Sequence, residues 1–101
     1  MKFIQLTRKY RVYNEMGHRV GLRFDTYSSP GSIEANREAI TLLGGSTVRG
    51  FPHMGNRRWC EYFGNRRWPD GRRPYYITFL NASDCMMVML RVAEGMNQHD
   101  D

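Results

Sequence analysis

Between Val20 and Leu43 the spacing of apolar residues lengthens from two to three or four, which marks a strand followed by a helix. Val20, Leu22 and Phe24 alternate with Arg19, Arg23 and Asp25, the period of a strand with one buried face. Ile33, Asn36, Ile40 and Leu43 then recur at helical spacing, flanked by Ala39. Glu34, Arg37, Glu38 and Thr41 fall on the opposite, solvated face. Ser28-Ser29-Pro30 reads as the helix start and Gly44-Gly45 as its stop.

The flanking segments extend this frame. Ile4, Leu6, Tyr10 and Val12 share one parity and predict a first strand, with Glu15 to His18 as a hairpin turn around Gly17. Downstream, Thr47 to Phe51 and Arg57 to Phe63 read as strands. Gly55-Asn56, Gly64-Asn65 and Pro69-Asp70-Gly71 are turn signals. Tyr75, Ile77 and Phe79 form a further strand, and Tyr76 and Leu80 on its second face predict a central position. Asn81 or Ser83 caps a second helix running to about Ala93, with Asp84 near its positive end. Residues 1–95 then form one domain and residues 96–101 a flexible tail. The class is α+β, in ββα–ββα order. The expected architecture is an antiparallel sheet of four or five strands with two helices on one face. This is the ferredoxin-like arrangement with its last strand moved to the front.

Composition excludes several functions. No apolar run is long enough to cross a bilayer, and Lys2 to Leu6 is too short for a signal-peptide core, so a cytoplasmic protein is expected. Cys60 and Cys85 make no disulfide framework, and Cys85, beside Met86, Met87 and Met89, reads as a buried thiol. His18, His53 and His99 are scattered, so neither metal nor cofactor is expected.

The net charge of +5 is local. Residues 49–73 hold Arg49, Arg57, Arg58, Arg66, Arg67, Arg72 and Arg73 against Glu61 and Asp70, and elsewhere the charges cancel. A local excess is the mark of a binding face. The pentapeptide Gly-Asn-Arg-Arg-Trp occurs at residues 55–59 and again at 64–68. Turns at both glycines would let the two copies lie side by side. The arginines interleave with Trp59, Tyr62, Trp68, Tyr75 and Tyr76. Guanidinium forks match phosphate, and flat rings stack on bases. Two readings stay open. In one, the arginines hydrate a hairpin while the tryptophans pack on the core. In the other, residues 49–76 bind RNA or DNA, or form a protein interface, since Arg, Trp and Tyr also dominate protein interfaces.

Enzymatic readings are thin. Cys60 with His53 matches no nucleophile signature, no glycine-rich phosphate loop follows a strand, and neighbouring arginines explain Glu61 and Asp70 as ion-pair partners. A non-enzymatic binding protein is expected. Six consecutive apolar residues, Cys85 to Leu90, cannot all share one helix face. The helix over 82–93 is therefore either deep in the core or covered by a second copy in a homodimer.

The stretch Ile77-Thr78-Phe79-Leu80-Asn81-Ala82-Ser83-Asp84-Cys85, continuing to Leu90-Arg91, resembles the closing strand–helix unit of small accessory proteins encoded by tailed phages. Cys85 departs from the alanine of that pattern. The resemblance implies an inhibitor or modulator of a host protein or host nucleoprotein complex, such as a CRISPR effector or RNA polymerase. It carries over no binding residue.

Overall fold

The computed structural model describes residues 1–47 and 54–99. Its elements are β1 (Lys2–Gln5), α1 (Arg11–Met16), β2 (Val20–Phe24), α2 (Ser32–Leu43), β3 (Ser46–Thr47), β4 (Met54–Gly55), β5 (Trp59–Phe63), β6 (Tyr75–Phe79) and α3 (Ala82–His99). The fold is α+β, and the strands form one sheet in the order β1-β2-β6-β5-β4-β3, every pair antiparallel. Four strands have four or five residues and two have only two. The sequence-based strand at 47–51 lies outside the described residues beyond Thr47, as does Arg49.

β6 is central, between β2 and β5, and all five of its residues are buried. Its odd-numbered residues join the main core. There Leu22, Phe24, Trp59, Tyr75, Ile77 and Phe79 meet Ala35, Ala39 and Leu43 of α2 and Cys85, Val88 and Val92 of α3. Both of these helices therefore cover one face. A third helix, α1, covers part of the other, where Leu6, Val12 and Cys60 are packed by Tyr10, Tyr13, Met16 and Tyr62.

The sequence predicted strand through Val12, and the chain instead turns at residues 8–10 and forms α1. The Asn14 amide donates to the carbonyls of Arg8 and Tyr10, tying the turn at residues 8–10 to the helix that follows. Arg11 and Glu15 pair one turn apart, at 2.8 Å. Gly17 is no hairpin turn: at φ 74 it ends α1 and returns its N–H to the Val12 carbonyl. β1 and β2 still pair, Lys2 opposite Arg23 and Gln5 opposite Val20.

Two helices also depart from expectation. Gly31, not Ser28 or Ser29, precedes α2, at φ 86 and with no side-chain cap. The buried stripe is Ser32, Ala35, Ala39 and Leu43, while Ile33 and Ile40 lie exposed. The alanines let the helix axis approach rings as large as Trp59 and Tyr75, and branched side chains there would hold it off. α3 runs past Ala93 and Gly95 to His99, where the sequence suggested a tail from residue 96. Its Met86, Met87 and Leu90 point to solvent while Val88 and Val92 are buried. No helix among the described residues is long and apolar enough to cross a membrane.

Beneath α1 lies a buried polar cluster. His18 Nε2 sits 2.8 Å from the Arg57 carbonyl, which can only accept, so that nitrogen carries the proton. Nδ1 then accepts from the Thr78 hydroxyl at 2.8 Å, and the Cys60 sulfur lies 3.4 Å from the same oxygen. Burial lowers the His18 pKa, against a smaller opposing effect of the Arg57 carbonyl. The unfolded chain therefore binds the extra proton more readily than the folded one below pH 6.5. Stability is full above that pH and falls as the pH drops below it, by at most about 1.4 kcal/mol per unit. Urea unfolding at pH 7.5 and 5.5 checks this. A His18→Gln variant should be weaker at pH 7.5 and lose less stability on acidification.

Candidate functional site

The two copies of Gly-Asn-Arg-Arg-Trp do not lie side by side. The first leads into β5 and the second follows it, so roughly 17 Å of strand separates them. The six described arginines, Arg57, Arg58, Arg66, Arg67, Arg72 and Arg73, therefore form no single cluster.

The first copy holds the fold together. Asn56 Oδ1 accepts from the amides of Arg58 and Trp59 and closes the turn before β5. Its amide nitrogen donates to the Leu43 carbonyl, and Trp59 Nε1 donates to that of Gly44 at 2.6 Å. Both bonds satisfy carbonyls at the C-terminal end of α2. Trp59 is fully buried, so it is no stacking platform. Arg58 grips the nearly buried carboxylate of Asp84 in the first turn of α3, at 3.0 Å. Arg57 is exposed at the same end of the sheet, and its carbonyl receives His18.

The second copy starts the loop joining β5 to β6, residues 64–74. Trp68 is half-buried, and its Nε1 donates to the Asp25 carbonyl at 2.7 Å, tying the loop to the end of β2. The Arg66 guanidinium lies 5.6 Å from the Trp68 ring centroid. Arg67 is exposed and donates to the Gly71 carbonyl. Arg72 pairs with Asp70 at 2.6 Å and donates to Ser28 Oγ. The Arg72 backbone N–H and then its guanidinium hold the Asp70 carboxyl below the ordinary range. The Arg73 guanidinium lies 5.3 Å from the Phe63 ring centroid.

Register brings further residues to this end. Lys2, Arg23, Tyr76 and Tyr62 are successive cross-strand partners, one row over four strands. Tyr10, from the turn before α1, stands edge-on to the Tyr62 and Tyr76 rings at 6.4 and 5.8 Å. Tyr10, Tyr62 and Tyr76, with Lys9, Arg23 and Arg66, line a cleft of about 250 Å³ completed by Gly64, Asn65 and Pro74. Among the described residues no carboxylate lines it. Burial and Tyr10 push the Tyr76 hydroxyl up in pKa, and Arg23 and Lys9 pull it down, so both cations lie within electrostatic reach of that ring. A second cleft, on the other flank of the loop, is lined by Thr26, Tyr27, Ser28, Phe63, Gly71, Arg72 and Arg73, again with no carboxylate among the described residues.

The predicted site thus divides. Arg66, Arg67, Trp68, Arg72 and Arg73 share one loop, with Tyr62 beside it. Arg57, Arg58 and Trp59 lie at the far end of β5. Tyr75 and Tyr76 are core residues, with exposures of 0% and 7%. Tyr75 donates to Glu61 at 3.0 Å, so Glu61 pairs with a phenol here. Lys9, Tyr10, Arg23 and Tyr27 join the site from distant parts of the chain.

His53 lies outside the described residues. Burial pushes the Cys60 thiol up to about 11, which keeps it protonated at neutral pH. No group of metal-holding side chains occurs among the described residues. Set against protein-family models, curated proteins and solved structures, the chain matches none.

Proposed function

We propose that this chain is a non-enzymatic nucleic-acid-binding protein that grips the phosphate backbone along the β5–β6 loop. The observation that carries the reading is the cleft in which Lys9, Arg23 and Arg66 face three tyrosines with no carboxylate among its lining residues. Among the described residues none of these three cations is paired with an acid, and such cations are what a polyanion neutralises, the released counterions supplying the affinity. Arg67 and Arg73 extend the same surface. We also read β1-β2-β6-β5 as the ferredoxin-like order with its last strand in front, a reading supported by the all-antiparallel pairing.

The test is binding of labelled oligonucleotides across a salt series. Four or five neutralised phosphates give a log–log slope of about −3 on single strands. Absence of binding to DNA and RNA at low salt would remove the proposal.

A protein partner, as the phage-protein resemblance implies, is the second reading. It is favoured by the outward Met86, Met87 and Leu90 of α3, since methionine-rich faces adapt to varied partners. A second copy of this chain would use the same face. Sedimentation of the purified chain distinguishes a self-associating face from a monomer.

A further inference from the structure

We infer that the second cleft receives one unstacked nucleobase, so the segment this protein recognises is single-stranded. The inference rests on the nucleic-acid reading above and adds the form of the ligand.

Tyr27 carries the argument. It leaves 45% of its surface exposed, unusual for a ring so well supported from behind. Tyr75 meets it edge-on at 5.0 Å and Phe63 lies 6.3 Å away. The ring is thus held in place before any ligand arrives, and little side-chain freedom is lost on stacking. Around it are the groups a base needs. Arg72 is fixed between Asp70 and Ser28, and Arg73 is seated by Phe63. The exposed Ser28 hydroxyl, 3.2 Å from that of buried Thr26, adds a polar group at the rim.

Size and position narrow the choice. The cleft holds about 330 Å³, near the lower limit of small-ligand sites, so it takes one planar group and not a helix. In a duplex the faces of the bases are stacked on one another, and only a splayed base presents a face to a side chain. The cationic cleft lies across the same loop, through Gly64, Arg66 and Pro74, while this one uses Gly71, Arg72 and Arg73. A strand crossing the loop places phosphates by Lys9, Arg23 and Arg66 and a base on Tyr27.

Fluorescence anisotropy decides, with a labelled 12-nucleotide single strand as DNA and as RNA, its blunt duplex, and the same strand carrying abasic sites. The intact protein should bind the single strand at least tenfold tighter than the duplex. Tyr27→Ala should weaken single-strand binding roughly tenfold, leave duplex binding unchanged and keep the salt slope. The abasic strand has the same phosphates, and the intact protein should bind it as weakly as Tyr27→Ala binds the normal strand. Tyr27→Leu keeps apolar packing without a flat ring and should behave like Tyr27→Ala, whereas Tyr27→Phe should bind normally. Thermal melts establish that each variant is folded. Equal affinity for single strand and duplex, or full binding by a folded Tyr27→Leu, overturns the base site while backbone binding stands. Binding to none of the probes overturns both.

Discussion

Trp59→Ala should lower the free energy of unfolding by about 4 kcal/mol, the loss expected when a fully buried large aromatic is cut back. The indole fills the main core under α2, and its Nε1–H satisfies the Gly44 carbonyl just past the end of that helix. Truncation opens a cavity and leaves the carbonyl without its donor. For a domain of this size the melting temperature should fall by about 20 °C, read by circular dichroism. Trp68→Ala, at the same place in the repeated pentapeptide, is the control. That ring is half-buried and tethers only a loop, so its loss should cost about 1–2 kcal/mol. Equal losses in the two variants would contradict the division between a structural copy and a surface copy.

The second large effect is on binding. Removing three cations together, as Lys9→Ala, Arg23→Ala and Arg66→Ala, should weaken single-strand binding by about 100-fold at low salt and flatten the log–log slope by about 2 units. Lys9 and Arg66 are exposed and Arg23 half-buried, so the melting temperature should barely change. Arg57→Ala with Arg58→Ala removes two charges at the far end of β5 and should leave binding near normal. Because Arg58 holds Asp84, that pair should instead lose some stability. Reversal of these two results would move the interface to the other end of the sheet.

Much of the sheet was legible because its signals are local. The alternation at Val20, Leu22 and Phe24 and the two-faced apolar run Tyr75 to Phe79 both match their observed strands. α1 was not legible: six residues are too few to show a helical period, and Ile4 to Val12 fits a period of two by coincidence. The buried face of α2 is not legible, because Ala35 and Ala39 carry little apolar weight beside Ile33 and Ile40. Their value is in letting the helix come close. The repeat was seen, but identical letters cannot say which tryptophan is buried. That depends on the carbonyls of Gly44 and Asp25, which lie far off in sequence. Alternation alone places Arg23 only on the solvated side of β2. Its place beside Tyr76 is a matter of strand register, which no local pattern contains.

The loop that carries Arg66, Arg67, Arg72 and Arg73 is fastened at several points: Trp68 to the end of β2, Arg67 to Gly71, and Arg72 to Asp70 and Ser28. On the proposed function, a polyanion would meet a surface already in its binding shape. Encounter then needs no folding step, and its speed is set by long-range attraction. Added salt should slow arrival far more than it hastens departure.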